Sequence, residues 1–231
     1  MGYTNSPLVN YKKISPNKTA NRNHKIDTIT IHHMAGNLTV EQCGNVFAPT
    51  SRKASSNYGI GSDGRIGLYV EEKDRSWATS SPSNDHRAIT IEVANDNTKT
   101  WSISDKAYKS LVALCVDICK RNGIAELKWK GDKNLVGKVE QQNMTVHRWF
   151  AATLCPGDYL YNLHSQIAKD VNAQLKKEFT SAKDIIAELV KNHGVKIDDV
   201  DRAVKALEKA KNSQELLSLY WILHKVVNGN G

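Results

Sequence analysis

The sequence lacks any apolar run that approaches the roughly 18 residues needed to cross a bilayer. Its first ten residues do not combine a basic start with an apolar stretch, so we expect no signal peptide and no membrane span. Only 5 prolines and 4 cysteines occur among 231 residues. Without an export signal, disulfides are not expected. Such a protein would stay in the cytoplasm of the cell that makes it until it is released.

The formal charge is +8, from 32 Lys and Arg against 24 Asp and Glu. A basic surface attracts polyanions, and both nucleic acid and an anionic cell wall qualify. Nucleic-acid binding would favour basic residues on one helix or beside exposed aromatics. The basic residues are spread along the chain instead, so we expect no nucleic-acid partner. Hydrophobic residues make up 40% of the chain, which is enough for a packed core.

Two segments alternate apolar and polar residues as half-buried strands do. In residues 26–33, Ile29 and Ile31 share one face, and Thr30 and His32 share the other. Residues 88–94 repeat this layout, with isoleucines and a valine opposite Thr90 and Glu92. A sheet whose apolar face packs on helices leaves its second face for a site. His32 and Glu92 are therefore predicted on that second face, and His33 on the packed one.

Turn and capping residues divide the rest of this region. Asp63-Gly64 indicates the turn of a hairpin. Thr39 and Gln42 fit a capping box, Ser104 begins a long helix that ends near Asn122, and Asp158 is the predicted cap of a further helix. Strands interleaved with helices predict an α/β layer fold.

The composition changes beyond about residue 180. Proline is absent there, glycine becomes scarce, and three helical patterns follow over roughly 182–193, 198–210 and 214–227. We therefore predict two domains, residues 1–178 and a small helical bundle over 181–231. The leucines and aromatics of 216–223 exceed what one helix face buries, which indicates an interface.

The segment HRWFAATLCPG places His147 and Cys155 eight residues apart, with Pro156-Gly157 forcing a turn after the cysteine. Two imidazoles and one thiolate can hold zinc with one position open, as a catalytic site requires. A histidine and cysteine pair is weak evidence by itself, and a histidine at a strand end is more often structural. The residues alone leave both interpretations open.

Taken with four longer segments, these residues resemble a known family. The segments are NYKKISPNKTANRNHKIDTITIHHMAG, SSNYGIGSDGRIG, SWATSSPSNDHRAITIEVAND and MTVHRWFAATLCPG. Residues 26–176 resemble the type-2 N-acetylmuramoyl-L-alanine amidases, a family that includes phage lysozyme-type amidases and peptidoglycan recognition proteins. The resemblance implies a mixed central β-sheet flanked by helices. It also implies hydrolysis of the amide between N-acetylmuramic acid and L-alanine in peptidoglycan.

The resemblance further assigns roles to residues. It makes His32, His147 and Cys155 the ligands of Zn²⁺. It makes Glu92 a base, and places Tyr58 and Thr153 beside the metal as catalytic residues. Substrate binding is assigned to residues in the matching segments: Trp77, Asn84 and Arg148.

The sequence departs from the family at two points. Thr153 stands where many phage members carry lysine, and Ala78 follows Trp77 where the family usually has histidine. The first departure removes a fixed cation, and the second removes a polar contact. Trp129 and Trp149 either stack on sugar or pack in the protein, and the sequence does not separate these alternatives.

The resemblance makes residues 1–178 the zinc amidase domain and suggests a phage or prophage endolysin acting on the cell wall. Residues 181–231 would target the wall or form a homo-oligomer. The alternative is a non-catalytic peptidoglycan-binding module. Inactive recognition proteins commonly lack the ligand cysteine, whereas Cys155 is present here.

Overall fold

The computed structural model describes residues 3–175, so the predicted bundle of 181–231 lies outside the described residues. The strands are β1 (Tyr11–Lys12), β2 (Lys18–Thr19), β3 (Thr28–His33), β4 (Tyr58–Ile60), β5 (Ile66–Leu68), β6 (Arg75–Ser76), β7 (Ala88–Val93) and β8 (Met144–Thr145). The helices are α1 (Val40–Phe47), α2 (Pro82–Arg87), α3 (Asp105–Asn122) and α4 (Gly157–Leu175). Within this part of the chain, none of the helices is both long and apolar enough to cross a membrane.

Six strands form one mixed sheet in the order β1-β5-β4-β7-β3-β8, and β2 pairs with β6 separately. Only the β4–β5 hairpin of the larger sheet is antiparallel. Its turn is the predicted Asp63-Gly64, where Gly64 has a φ of +86° that favours glycine. The α/β fold class with a mixed sheet and flanking helices is confirmed.

The predicted helix starts are confirmed at two places. The Thr39 hydroxyl accepts from the Gln42 backbone N–H at 3.2 Å, and the Gln42 side chain accepts from the Thr39 N–H at 2.8 Å. Ser104 caps α3 through the Ala107 N–H at 3.1 Å. The third prediction is wrong: α4 begins at Gly157, so Asp158 lies inside its first turn.

Opposite faces of the sheet are covered by different helices. Tyr58 pairs in register with Ile91 of the neighbouring strand, so the two side chains share a face. The Tyr58 hydroxyl donates to Glu72, which also accepts from Arg121 of α3. Gly59 pairs in register with Glu92 and so shares its face. A Cβ added at Gly59 would lie 2.7 Å from the Tyr69 ring. The Tyr69 hydroxyl in turn donates to the Val40 carbonyl of α1 at 2.7 Å. Helix α1 therefore covers the Glu92 face, and α3 covers the isoleucine face.

The polar face of β3 is mostly filled, which corrects the expectation that it is left free. Thr30 lies 2.7 Å from Thr145 of β8, hydroxyl to hydroxyl. The Asn84 amide donates to Thr30 at 3.1 Å and its oxygen accepts from Thr145 at 3.0 Å. All three side chains are buried, and their polar atoms satisfy one another. Only the carboxyl end of this face is left for a site.

A buried ionic network ties the amino-terminal residues to α3. Glu72 is fully buried and accepts from the Tyr58 hydroxyl at 2.6 Å and from the Arg121 guanidinium at 2.6 Å. The Tyr58 oxygen also accepts from the Ser6 backbone N–H at 2.8 Å. Removing one partner of such a network leaves the other charge buried and unpaired.

We predict that Glu72→Ala lowers the free energy of unfolding by about 3–5 kcal/mol, because it breaks a buried ion pair. The matched control is Glu71→Ala, whose pairs with Lys12 and Lys73 lie at the surface. That substitution should cost no more than about 1 kcal/mol. Urea unfolding of the three proteins measures both values, and equal losses would contradict the assignment.

Candidate metal centre

Three parallel strands bring the candidate residues to one edge of the sheet. His32 lies near the carboxyl end of β3 and pairs in register with Glu92 of β7. His147 follows β8 after one residue, and β8 is parallel to β3 on its other side. In parallel sheets, ligands bind in the crevice outside the carboxyl ends of the strands. The order β7-β3-β8 thus places Glu92, His32 and His147 side by side.

A closed loop returns Cys155 to the same place. The chain turns at His147–Trp149, where the Phe150 N–H donates to the His147 carbonyl at 2.9 Å. The Arg148 N–H donates to the Cys155 carbonyl at 3.0 Å, which closes the loop. The Thr153 hydroxyl accepts from the Cys155 N–H at 3.2 Å. These bonds hold Cys155 beside His147 although eight residues separate them.

The three predicted ligands meet. One ligand atom from each of His32, His147 and Cys155 lies within 4.8 Å of the others, the only such group of three found within residues 3–175. Cys155 Sγ is 3.4 Å from His32 Nδ1, and the two imidazole centroids are 5.1 Å apart. His33 does not join the group, in agreement with its predicted place on the other face.

The chemistry of this donor set fits zinc. Burial lowers the pKa of His32 well below its usual value and also lowers the pKa of His147, which favours the neutral form of both imidazoles. Burial raises the pKa of the Cys155 thiol, and the nearby Glu92 carboxyl raises it further. Zinc is bound by neutral imidazoles and by a thiolate. A bound cation would favour the ionised form of the Cys155 thiol.

Glu92 is the carboxyl group of the site. Its Oε1 lies 3.9 Å from His32 Nδ1, and its side chain is 17% exposed. Within the described residues, its buried Oε2 has no hydrogen-bond partner. Burial raises the pKa of Glu92 to about 8, against a lowering by the charge of Arg52. A carboxyl group poised near neutral pH suits proton transfer.

Tyr58 is not brought to this site. It pairs with Ile91, so its side chain lies on the face opposite Glu92. Its hydroxyl is committed to Glu72 and to the Ser6 N–H, and burial raises its pKa well above the usual value. The position of Tyr58 therefore does not support the prediction that it lies beside the metal.

The predicted substrate contacts have different positions. Asn84 is buried between Thr30 and Thr145, so it holds strands together rather than facing a ligand. The Trp77 indole donates to the Thr19 hydroxyl at 2.9 Å. Arg148 follows His147 directly, and its side chain pairs with Asp158 at 2.9 Å.

Trp129 and Trp149 pack on each other, as one of the two predicted alternatives expects, while Trp129 stays half-buried. Their rings are stacked at 5.2 Å with an interplanar angle of 6°. The His164 ring contacts Trp129 at 4.5 Å, and Arg148 lies 4.7 Å from the Tyr161 ring centroid. Sequence reasoning gave His164 no role. His164 lies four residues after Leu160, on the same helix face, and both are buried. This spacing could have predicted a core position for His164.

The N-acetylmuramoyl-L-alanine amidase family profile matches residues 22–158, a range that holds all three predicted ligands and Glu92. The chain belongs to this family. No curated protein matches the sequence.

Solved structures share this fold at identities below 25%. A selenomethionine derivative of AmpD is 17% identical with a TM-score of 0.54, over 73% of this chain and 99% of that one. The Staphylococcus aureus hydrolase AmiA is 15% identical with a TM-score of 0.51, over 81% and 86%. A mutant endolysin from Bacillus subtilis is 16% identical with a TM-score of 0.50, over 71% and 99%.

We predict that zinc binding to this family member weakens as the pH falls. The raised pKa of Cys155 lets a proton compete with the metal through the neutral range, whereas burial already favours the neutral form of the imidazoles. The apparent affinity should fall at least about tenfold per pH unit between pH 8 and 6. Competition with a chromophoric chelator measures this. Cys155→Ser should lose most of the zinc and Cys119→Ala should keep it; full zinc in Cys155→Ser would contradict the site.

Proposed function

We propose that the chain hydrolyses the amide between N-acetylmuramic acid and L-alanine in bacterial peptidoglycan, with zinc held by His32, His147 and Cys155. The observation that carries this proposal is the meeting of these three side chains beside Glu92 at one sheet edge. The family match supports the class of bond that is cut.

Glu92 is proposed to move the protons of the reaction. When bound, zinc would act as a Lewis acid toward the scissile carbonyl and the attacking water. Glu92 takes a proton from that water and passes it to the departing amine of L-alanine, so that the carboxylate is regenerated in each cycle. The part of its side chain that remains exposed, 17%, is where the carboxyl group is proposed to meet this water.

Thr153 is proposed to donate a hydrogen bond to the developing oxyanion. Its oxygen already accepts from the Cys155 N–H, which fixes its position and leaves the hydroxyl proton to be donated. The loss of one such donor typically costs about 2.7–4 kcal/mol of transition-state stabilisation. Arg148 and Trp77 remain proposed substrate contacts, whereas Asn84 is assigned to positioning β3 and β8.

A role as an endolysin is part of the proposal. The catalytic part is assigned to residues 1–178, and residues 181–231, which lie outside the described residues, are proposed to target the cell wall or to associate with a second copy. The competing function is a non-catalytic peptidoglycan-binding module. Cys155 favours the enzyme, because a binding module has no use for a third zinc ligand beside a carboxyl group.

We predict that digestion of purified cell wall releases new amino groups of L-alanine and no new reducing sugar ends. The reason is that the site holds metal ligands and one carboxyl group rather than the paired carboxylates of glycosidases. Amino-terminal labelling and reducing-sugar assays of the same digests test this. New reducing ends would place the protein in another class, and binding without any cleavage would support the competing function.

We predict that Glu92→Gln retains zinc and the fold but loses at least about 100-fold in rate, the usual contribution of general acid–base catalysis. The matched control is Glu140→Gln, whose side chain is 93% exposed. A cation bound nearby favours the carboxylate and would lower the pKa of Glu92 from about 8. Glu92 acts as a base only in this ionised form. The wild-type rate should therefore fall as the pH falls through this lowered pKa, at some pH below 8, and this limb should vanish in Glu92→Gln. A variant within a few-fold of wild type would remove Glu92 from the mechanism.

A further inference from the structure

The loop that follows β7, residues 95–102, contacts the metal-ligand segments from outside the site. The Asn95 side chain donates to the Met34 carbonyl at 2.7 Å, just past the end of β3. The His33 imidazole Nδ1 lies 2.6 Å from the same carbonyl. This loop is therefore attached to the strand that carries the ligand His32.

Asp96 fixes the shape of the loop. Its backbone N–H donates to the Ser102 carbonyl at 2.8 Å, which closes the loop across six residues. Its carboxylate accepts from the Thr98 N–H at 2.9 Å, from the Thr98 hydroxyl at 2.8 Å and from the Ser102 hydroxyl. A loop with this many internal bonds has a defined conformation, and that conformation places Trp101.

Trp101 lies in a seam between two ligand-bearing segments. Its ring centroid is 4.8 Å from that of His33, the residue after the ligand His32. A Cβ added at Gly157 would come to 2.9 Å from Trp101 Cε3, and Gly157 is two residues after the ligand Cys155. The indole thus packs at once on the end of β3 and on the turn that carries the thiol.

The backbone of Trp101 has a φ of +51°. This left-handed conformation is unfavourable for a bulky residue and persists only where the surroundings impose it. Gly157 has a φ of +77°, which glycine tolerates, and its missing side chain makes room for the indole. Two unusual backbone positions therefore meet at a single contact.

We propose that Trp101 is a positioning residue that sets the distance and angle of the Cys155 thiolate relative to His32. It acts through His33 on one side and Gly157 on the other, and it touches neither the substrate nor the metal. This inference rests on the proposed zinc site. Residues that orient metal ligands typically change metal affinity 10- to 100-fold when they are replaced.

The test compares the wild type with Trp101→Ala, Trp101→Phe and Lys99→Ala, a matched control from the same loop. We expect Trp101→Ala to weaken zinc binding at least about tenfold in chelator competition. It should also shift or weaken the sulfur-to-cobalt charge-transfer band of the cobalt-loaded protein, which reports the geometry at Cys155. Trp101→Phe keeps an aromatic ring in the seam and should recover most of both signals. Lys99→Ala should leave both unchanged.

A second variant covers the case in which Trp101→Ala fails to fold. Asp96→Ala keeps the indole but removes the bonds that place it, so it should change affinity and spectrum in the same direction. The inference is overturned if Trp101→Ala keeps the wild-type zinc affinity and an unchanged cobalt spectrum. If Trp101→Ala does not fold, the same result in Asp96→Ala overturns it. Failure of the wild type to bind cobalt through a thiolate would instead overturn the zinc site itself.

Discussion

The parallel pairing of β3 with β7 is the constraint on which the site depends. It pairs His32 in register with Glu92, while the isoleucines of both strands lie on the other face of the sheet. Because side chains alternate along a strand, a slip of one residue would move either functional group to the apolar face. The buried contacts of Thr30 with Thr145 and Asn84 oppose such a slip, since each would lose a hydrogen-bond partner inside the protein.

The polar face of the sheet therefore has two parts with different energetics. At its centre, hydroxyl and amide groups satisfy one another, and the result is a rigid layer. At its carboxyl end, the thiol of Cys155 and the carboxyl group of Glu92 are held away from water with pKa values raised by burial. Burial without a charge partner disfavours the ionised forms of these two groups, and a cation bound between them would favour those forms.

Much of this arrangement was predictable from local pattern. Alternation alone placed His32 and Glu92 together and turned His33 away, and capping residues located α1 and α3. The face taken by Tyr58 was not predictable, because it depends on which residue of β7 lies opposite, and that pairing joins strands far apart in sequence. The contact of Trp101 with Gly157 was hidden for the same reason, because it too joins residues far apart in sequence.

The ligands His32 and Cys155 lie 123 residues apart in sequence, and their atoms meet at 3.4 Å. Loop closure over such a span becomes favourable only after the intervening strands have paired. A metal centre built on this meeting would therefore form after the sheet, unlike the zinc sites that drive the folding of small zinc-dependent domains. The proposed centre would thus assemble only as the sheet reaches its native topology, so a nascent or misassembled chain would lack the meeting of these side chains.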